Sequence, residues 1–402
     1  MASRAGTNSA PPGVAPPAPA ESRPGRIPYL DNLKILLIAV IIAIHGVLGY
    51  TDTGWWSYGD AREVTLTTAS TVILMMVAGP FGLLVIPLLF LVAGLLTAPA
   101  VQRKGPGQFA RDRLVRLGVP FVVYVAVIQP AVVYAVDHRY GNAYGSYWRE
   151  FLGSDGQPDA GPLWFVGALL VYSLAYAGWT AVRLARSRPA RATAVGARQL
   201  GIAAAAIVLP TFAIRTVWPL GGESFTDLNL WEWPACITLF GLGTVSARRG
   251  WATALPPEVQ RRCRTATLAA SVTLLAVSGV VVGPLGLDGD VLLGGWHWAA
   301  LAFAACDCVL AVFGAVWILG LIQRFDRYYR WTGPLARLTY PAFIVQTPVL
   351  LGAAVALRPI DAPAEVKAFL VAGGGVAASF ALAELLRRGV AWLPLVSAHG
   401  NR

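Results

Sequence analysis

Ten apolar runs follow one another along this chain, parted by short polar stretches. About 20 mostly apolar helical residues cross a ~30 Å hydrocarbon core. The runs predict spans near 34–50, 67–98, 114–136, 162–182, 200–219, 231–247, 265–285, 296–322, 332–356 and 366–386. The expected fold class is an all-α polytopic membrane protein. The second run exceeds what one crossing needs, and Pro80 and Pro87 predict kinks in it, because each removes a helix hydrogen bond. Irregular backbone at membrane depth survives only against protein or a cavity, so this helix is expected to line something. Residues 1–26 are rich in Pro, Ala and Ser with no apolar run and read as a disordered tail. The membrane domain occupies 27–390, and 391–402 form a short second tail. The first run is too long for a signal peptide and lacks a small-residue cleavage site. No internal repeat is visible.

Composition agrees with the pattern. The chain is 56% hydrophobic and 13% charged, against about 25% charged in soluble domains. A formal net charge of +11 would suggest an anionic partner in a soluble protein. Here the basic residues gather in alternate loops, at 99–113, 183–199, 248–264 and 323–331, and the intervening loops are acidic. That alternation predicts membrane topology with both termini cytoplasmic, and no nucleic-acid partner. The four cysteines, Cys236, Cys263, Cys306 and Cys308, form no Cys-x-x-Cys pair, so neither a disulfide framework nor a metal site is expected.

Several polar groups are not explained by topology. Lys34 and His45 stand eleven positions apart in YLDNLKILLIAVIIAIHG. On a helix that is three turns with about 20° of drift and ~16 Å of rise, so both share one stripe. Lys34 then falls near one membrane surface and His45 near the midplane, where an ionisable group is costly and marks a candidate site. A neutral imidazole is also the natural general base near pH 7. Asp307, in the eighth run, is expected at the same depth and could orient that imidazole. Asp31 and Lys34 can pair locally. Arg113 and Arg116 share a helix face and either anchor the helix at a basic surface or clamp a phosphate, which guanidinium forks bind in a bidentate way. Arg215 and Glu232, near the outer ends of the fifth and sixth spans, either pair with each other or line a mouth for a polar substrate. Trp164 either anchors at the interface or stacks on a sugar face. His297 and Glu384 have sufficient local explanations.

These segments resemble acyltransferase family 3, the bacterial membrane acyltransferases that modify extracytoplasmic glycans and other hydroxylated products. The opening, with Lys34 and His45, is similar to the family's start, where Arg or Lys precedes a histidine by eleven positions. IPLLFLVAGLL at 86–96 resembles the second-helix segment, with Ala93 where Ser is usual. Arg113-Leu-Val-Arg116 followed by Pro120 resembles the Arg-x-x-Arg motif. GPLWFVGALLVYSL, WEWPACITLFGLGTVSARRGW and LARLTYPAFIVQTPVL resemble later segments, with Gln346 replacing a common His. The likeness covers roughly 27–390 and leans toward a glucan-modifying branch.

The resemblance implies an O-acyltransferase of the bacterial cytoplasmic membrane. It implies acyl-CoA as donor, bound from the cytoplasm, and a hydroxylated glycan or small molecule as acceptor. It makes His45 the essential catalytic residue with Asp307 as its expected support. Lys34, Arg113 and Arg116 become donor-binding residues; Trp164, Arg215 and Glu232 are the candidate acceptor contacts. A proton-coupled transporter is the alternative, since intramembrane His and Asp suit a proton relay. Against it, no paired broken helices stand in matching halves.

Overall fold

In a computed structural model of the protein, the described residues are 27–52, 61–136, 159–184, 196–222, 227–247, 255–327 and 329–390. Both tails, and the loop arginines within 185–195 and 248–254, lie outside the described residues. Ten helices lie where ten spans are expected, and the described residues contain no strand. They are α1 (Pro28–Leu48), α2 (Thr68–Lys104), α3 (106–136), α4 (Trp164–Leu184) and α5 (Ala197–Arg215). Then come α6 (Trp233–Ala247), α7 (Pro257–Val282), α8 (298–322), α9 (Thr332–Leu357) and α10 (Ala364–Val390). Among the described residues nine helices are long and apolar enough to cross a membrane. The chain is a multi-pass integral membrane protein. α6, with 15 residues, is the short one, about 22 Å long.

The first helix departs from its expected start. Pro28 at the first helical turn has its backbone angle pre-set, and Asp31 in that turn suits the helix dipole, so α1 begins six residues before position 34. His45 therefore sits in the last turn of α1, about 4–5 Å from its end, rather than at mid-helix.

Contacts at the helix ends sort the bundle into two faces. On one, Asn32 donates to the Arg327 carbonyl at 2.9 Å and accepts from Thr332 Oγ1 at 2.8 Å. That face gathers Arg103, Lys104, Arg111, Arg183, Arg324 and Arg327. On the other, the chain after α1 returns across the start of α10. There Arg62 donates to the Gly49 carbonyl at 3.0 Å, Arg358 donates to the Ala61 carbonyl at 3.0 Å, and Lys367 pairs with Glu63. The described cations of this second face are thus engaged locally.

α2 runs unbroken through Pro80, Pro87 and Pro99. Its first half is exposed, with Val77 at 75%, whereas Leu84–Leu95 are mostly buried at the centre of the bundle. α6 lies against that buried half. A Cβ on Gly94 would stand 2.2 Å from the Phe240 carbonyl oxygen, and one on Gly243 would stand 2.3 Å from that of Leu91. Small residues that let two backbones approach are a main device for joining helices in lipid. This seam holds the one helix too short to rely on the bilayer for its position. Gly94→Ala should therefore push the two helices apart and cost about 1–3 kcal/mol, lowering the thermal midpoint of the purified protein. Gly241→Ala, on the same short helix but facing open space, should leave the midpoint unchanged or raise it slightly.

Candidate active site

His45 is half-buried where α1, α9 and α10 meet. Its Nδ1 lies 3.0 Å from Oε1 of Gln346, which is fully buried in α9. With the Gln346 amide oxygen facing the ring, Nδ1–H is the donor of this pair. The close approach of neighbouring backbone supports this placement, because a Cβ on Gly46 would meet Ala372 Cα at 2.9 Å. Beyond His45, toward the less basic face, lies a small cavity of about 10 Å³, room for a single water, lined by Gly49, Tyr50, Arg62, Leu350 and Ala354 among others. The next residue of α9 ties in a third helix: Tyr124 of α3 donates to Thr347 Oγ1 at 2.8 Å, and Tyr124 is fully buried.

α3 carries two wider turns, Leu114–Gly118 and Tyr124–Ile128, of the π type often found at functional positions. Arg116 lies in the first and Tyr124 begins the second. Arg113 precedes the first and rests over the Phe109 ring at 4.9 Å. Arg113 and Arg116 are electrostatic neighbours at the basic end of α3, as their spacing predicts. Lys34, at the same end of α1, bonds Asp31 at 2.7 Å, the local pair foreseen from the spacing.

Asp307 does not join His45. Its Oδ2 accepts from Arg215 Nη2 at 2.5 Å, and both side chains are almost wholly buried, at 3% and 2% exposure. Glu232, also buried, is an electrostatic neighbour of both, so the expected Arg215–Glu232 pair is replaced by a cluster in which Asp307 holds the guanidinium. A string of ring contacts runs from one centre toward the other. From Phe343, one turn before Gln346, it passes to Phe165 at 6.1 Å, Phe90 at 4.8 Å, Tyr172 at 5.3 Å and Trp233 at 5.6 Å. Trp233 directly follows Glu232. Trp164 is 8% exposed, which removes it from an interfacial belt.

A scan against protein-family models finds an acyltransferase domain over residues 27–388. The chain belongs to acyltransferase family 3. No curated protein and no solved structure is similar enough to match. Membership in this family makes membrane acyl transfer the activity class, and the match spans the whole bundle described above.

Gln346 is the site residue that sequence reasoning passed over, noting it only as a departure from a common His. A fully buried amide in the apolar run between Pro341 and Pro348 was the available signal. The chain over the cavity carries a titratable latch. Burial raises the Glu63 pKa, but the Lys367 ammonium and a backbone hydrogen bond outweigh it and hold the carboxyl below its ordinary value. A depressed folded-state pKa gives stability that is full above about pH 4.5 and fades as the pH falls through the lowered value. The protection factors of the amides in residues 61–66, corrected for intrinsic exchange, should therefore fall as the pH drops below about 4.5, and Lys367→Met should weaken that dependence.

Proposed function

We propose that the protein transfers an acyl group from acyl-CoA to a hydroxyl of an envelope glycan or similar acceptor, with His45 as general base. The single observation that carries this reading is the His45–Gln346 hydrogen bond inside a chain of this family. That bond fixes the ring, and in this reading Nε2 acts as the base. The basic face is taken as cytoplasmic by the positive-inside rule, in the bacterial inner membrane. CoA phosphates dock on Arg113 and Arg116, with Lys34 on the same face. From Arg113 to Tyr124, α3 rises by about 15 Å, and Tyr124 bonds the residue next to Gln346. The pantetheine arm follows α3 and brings the thioester to His45.

The acceptor approaches His45 from the opposite face, past the chain after α1 that closes over the small cavity. Nε2 takes the hydroxyl proton as the oxygen attacks the thioester carbon. The C–S bond then breaks, and the imidazolium returns the proton to the leaving thiolate. Gln346 is a positioning residue: it holds the ring and its tautomer without adding a charge. Asp307 has no place in these steps, since its hydrogen-bond partner is Arg215. The same pairing counts against a His45–Asp307 proton relay for transport.

His45→Ala should abolish acceptor-stimulated CoA release, scored with acetyl-CoA and succinyl-CoA, while the thermal midpoint of the purified protein stays near that of wild type. Gln346→Ala should lower kcat about 10–100-fold with little change in donor KM, and full activity in either variant contradicts the scheme. Arg113→Ala with Arg116→Ala should act in the opposite way, raising donor KM at least tenfold with kcat largely kept. An unchanged KM would remove the pair from the donor site.

A further inference from the structure

The mechanism leaves the Arg215 centre unused, and that centre is incomplete. Arg215 closes α5, Asp307 lies in α8, Glu232 precedes α6, and Tyr172 comes from α4. Arg215 Nε and Nη1, Asp307 Oδ1, the Tyr172 hydroxyl and Trp231 Nε1 are buried atoms with no hydrogen-bond partner among the described residues. Arg215 is 2% exposed and Tyr172 3%. A buried guanidinium with two idle donors is expensive, most of all inside a membrane protein. Gly294 packs against the Arg215 carbonyl so closely that a Cβ would come within 2.4 Å, so the backbone at this centre has little room to shift.

An apolar cleft of about 370 Å³ reaches the centre through Tyr172 and through Ile214 and Trp233, the chain neighbours of Arg215 and Glu232. Ile207, Pro210 and Ile214 of α5, Trp233 and Ile237 of α6, and Tyr172 line it. Ile237 is 54% exposed on a helix surface that meets lipid in a membrane-spanning bundle. Tyr172 belongs to both places: its ring walls the cleft, and it is an electrostatic neighbour of Glu232.

The idle groups select the ligand class. Asp307 already offsets the Arg215 charge and Glu232 stands beside them, so a second anion would meet two carboxylates. Vicinal hydroxyls fit better, because each can both donate and accept. They can accept from Arg215 Nε and Nη1, donate to Asp307 Oδ1 and exchange either role with the Tyr172 hydroxyl. We propose that Arg215, Asp307, Glu232 and Tyr172, with the adjoining cleft, form a second binding site, separate from His45, for the hydroxyl-rich head of a membrane lipid. The tail lies in the cleft. This site does not depend on the acyl-transfer reading, since it uses none of the His45 residues.

The test uses full-length protein in phosphatidylcholine nanodiscs, with octyl glucoside as probe and octyl tetraethylene glycol ether as the control with a single hydroxyl. Native mass spectrometry reads how much of each is retained. Octyl glucoside should be retained at least tenfold more strongly than the control. Tyr172→Phe and Glu232→Gln should each weaken that retention about three- to tenfold, the loss of one hydrogen bond. Arg215→Met with Asp307→Leu and Glu232→Gln, which removes all three buried charges together and so spares the fold, should abolish the preference. His45→Ala should retain the probe like wild type. Equal retention of the two probes, or wild-type retention in the Tyr172 and Glu232 variants, overturns the proposal. So does loss of retention in His45→Ala, which would put the sugar head at the reacting centre instead. None of these outcomes depends on catalysis, so a failed acyl-transfer assay and a failed binding assay remain distinguishable.

Discussion

A histidine near the end of a membrane helix needs a partner for its ring N–H, and in this protein the partner is an amide rather than a carboxylate. The His45–Gln346 hydrogen bond joins α1 to α9, and Tyr124, bonding the next residue of α9, brings α3 to the same point. Three helices from distant parts of the chain thus converge on one imidazole. The choice of partner matters chemically. A carboxylate would supply a full negative charge to the imidazolium, whereas an amide fixes the ring and its tautomer by geometry alone.

Around that point the bundle separates its polar groups instead of pooling them. A string of ring contacts from Phe343 through Phe165, Phe90 and Tyr172 to Trp233 runs between the His45 centre and the Arg215–Asp307 centre. Aromatic rings suit such a place, because each fills a large volume with no buried polar atom except the Tyr hydroxyl. The two centres can then carry different tasks in one family domain. One faces a small cavity closed over by the chain after α1, and the other adjoins an apolar cleft between α5 and α6. The Gly94–Gly243 seam sets the position of α6 and so of that cleft.

Much of the architecture was legible in the sequence, because apolar runs long enough to cross a bilayer are a strong signal and loop charges alternate. The start of α1 was not, since Tyr29, Leu30 and Asp31 are too mixed to extend an apolar run, and the helix start depends on Pro28. His45, Asp307, Arg215 and Glu232 all stood out as polar groups in apolar surroundings. Their pairing was misread for a plain reason: position along a helix gives height but not direction around it. His45 and Asp307 could be matched by height alone, and only the packed bundle shows which faces meet. Gln346 was hidden because an uncharged side chain in an apolar run carries little weight beside four ionisable ones.

Double-mutant cycles would measure that pairing directly. Unfolding free energies of His45→Phe, Gln346→Leu, Asp307→Leu and the two doubles containing His45→Phe give two coupling energies. Directly bonded residues couple by about 0.5–3 kcal/mol, while distant ones add within about 0.5 kcal/mol. With the residues paired as described, His45 couples to Gln346 and is additive with Asp307. A coupling to Asp307 as large as that to Gln346, or none to Gln346, would contradict the pairing on which the site is built.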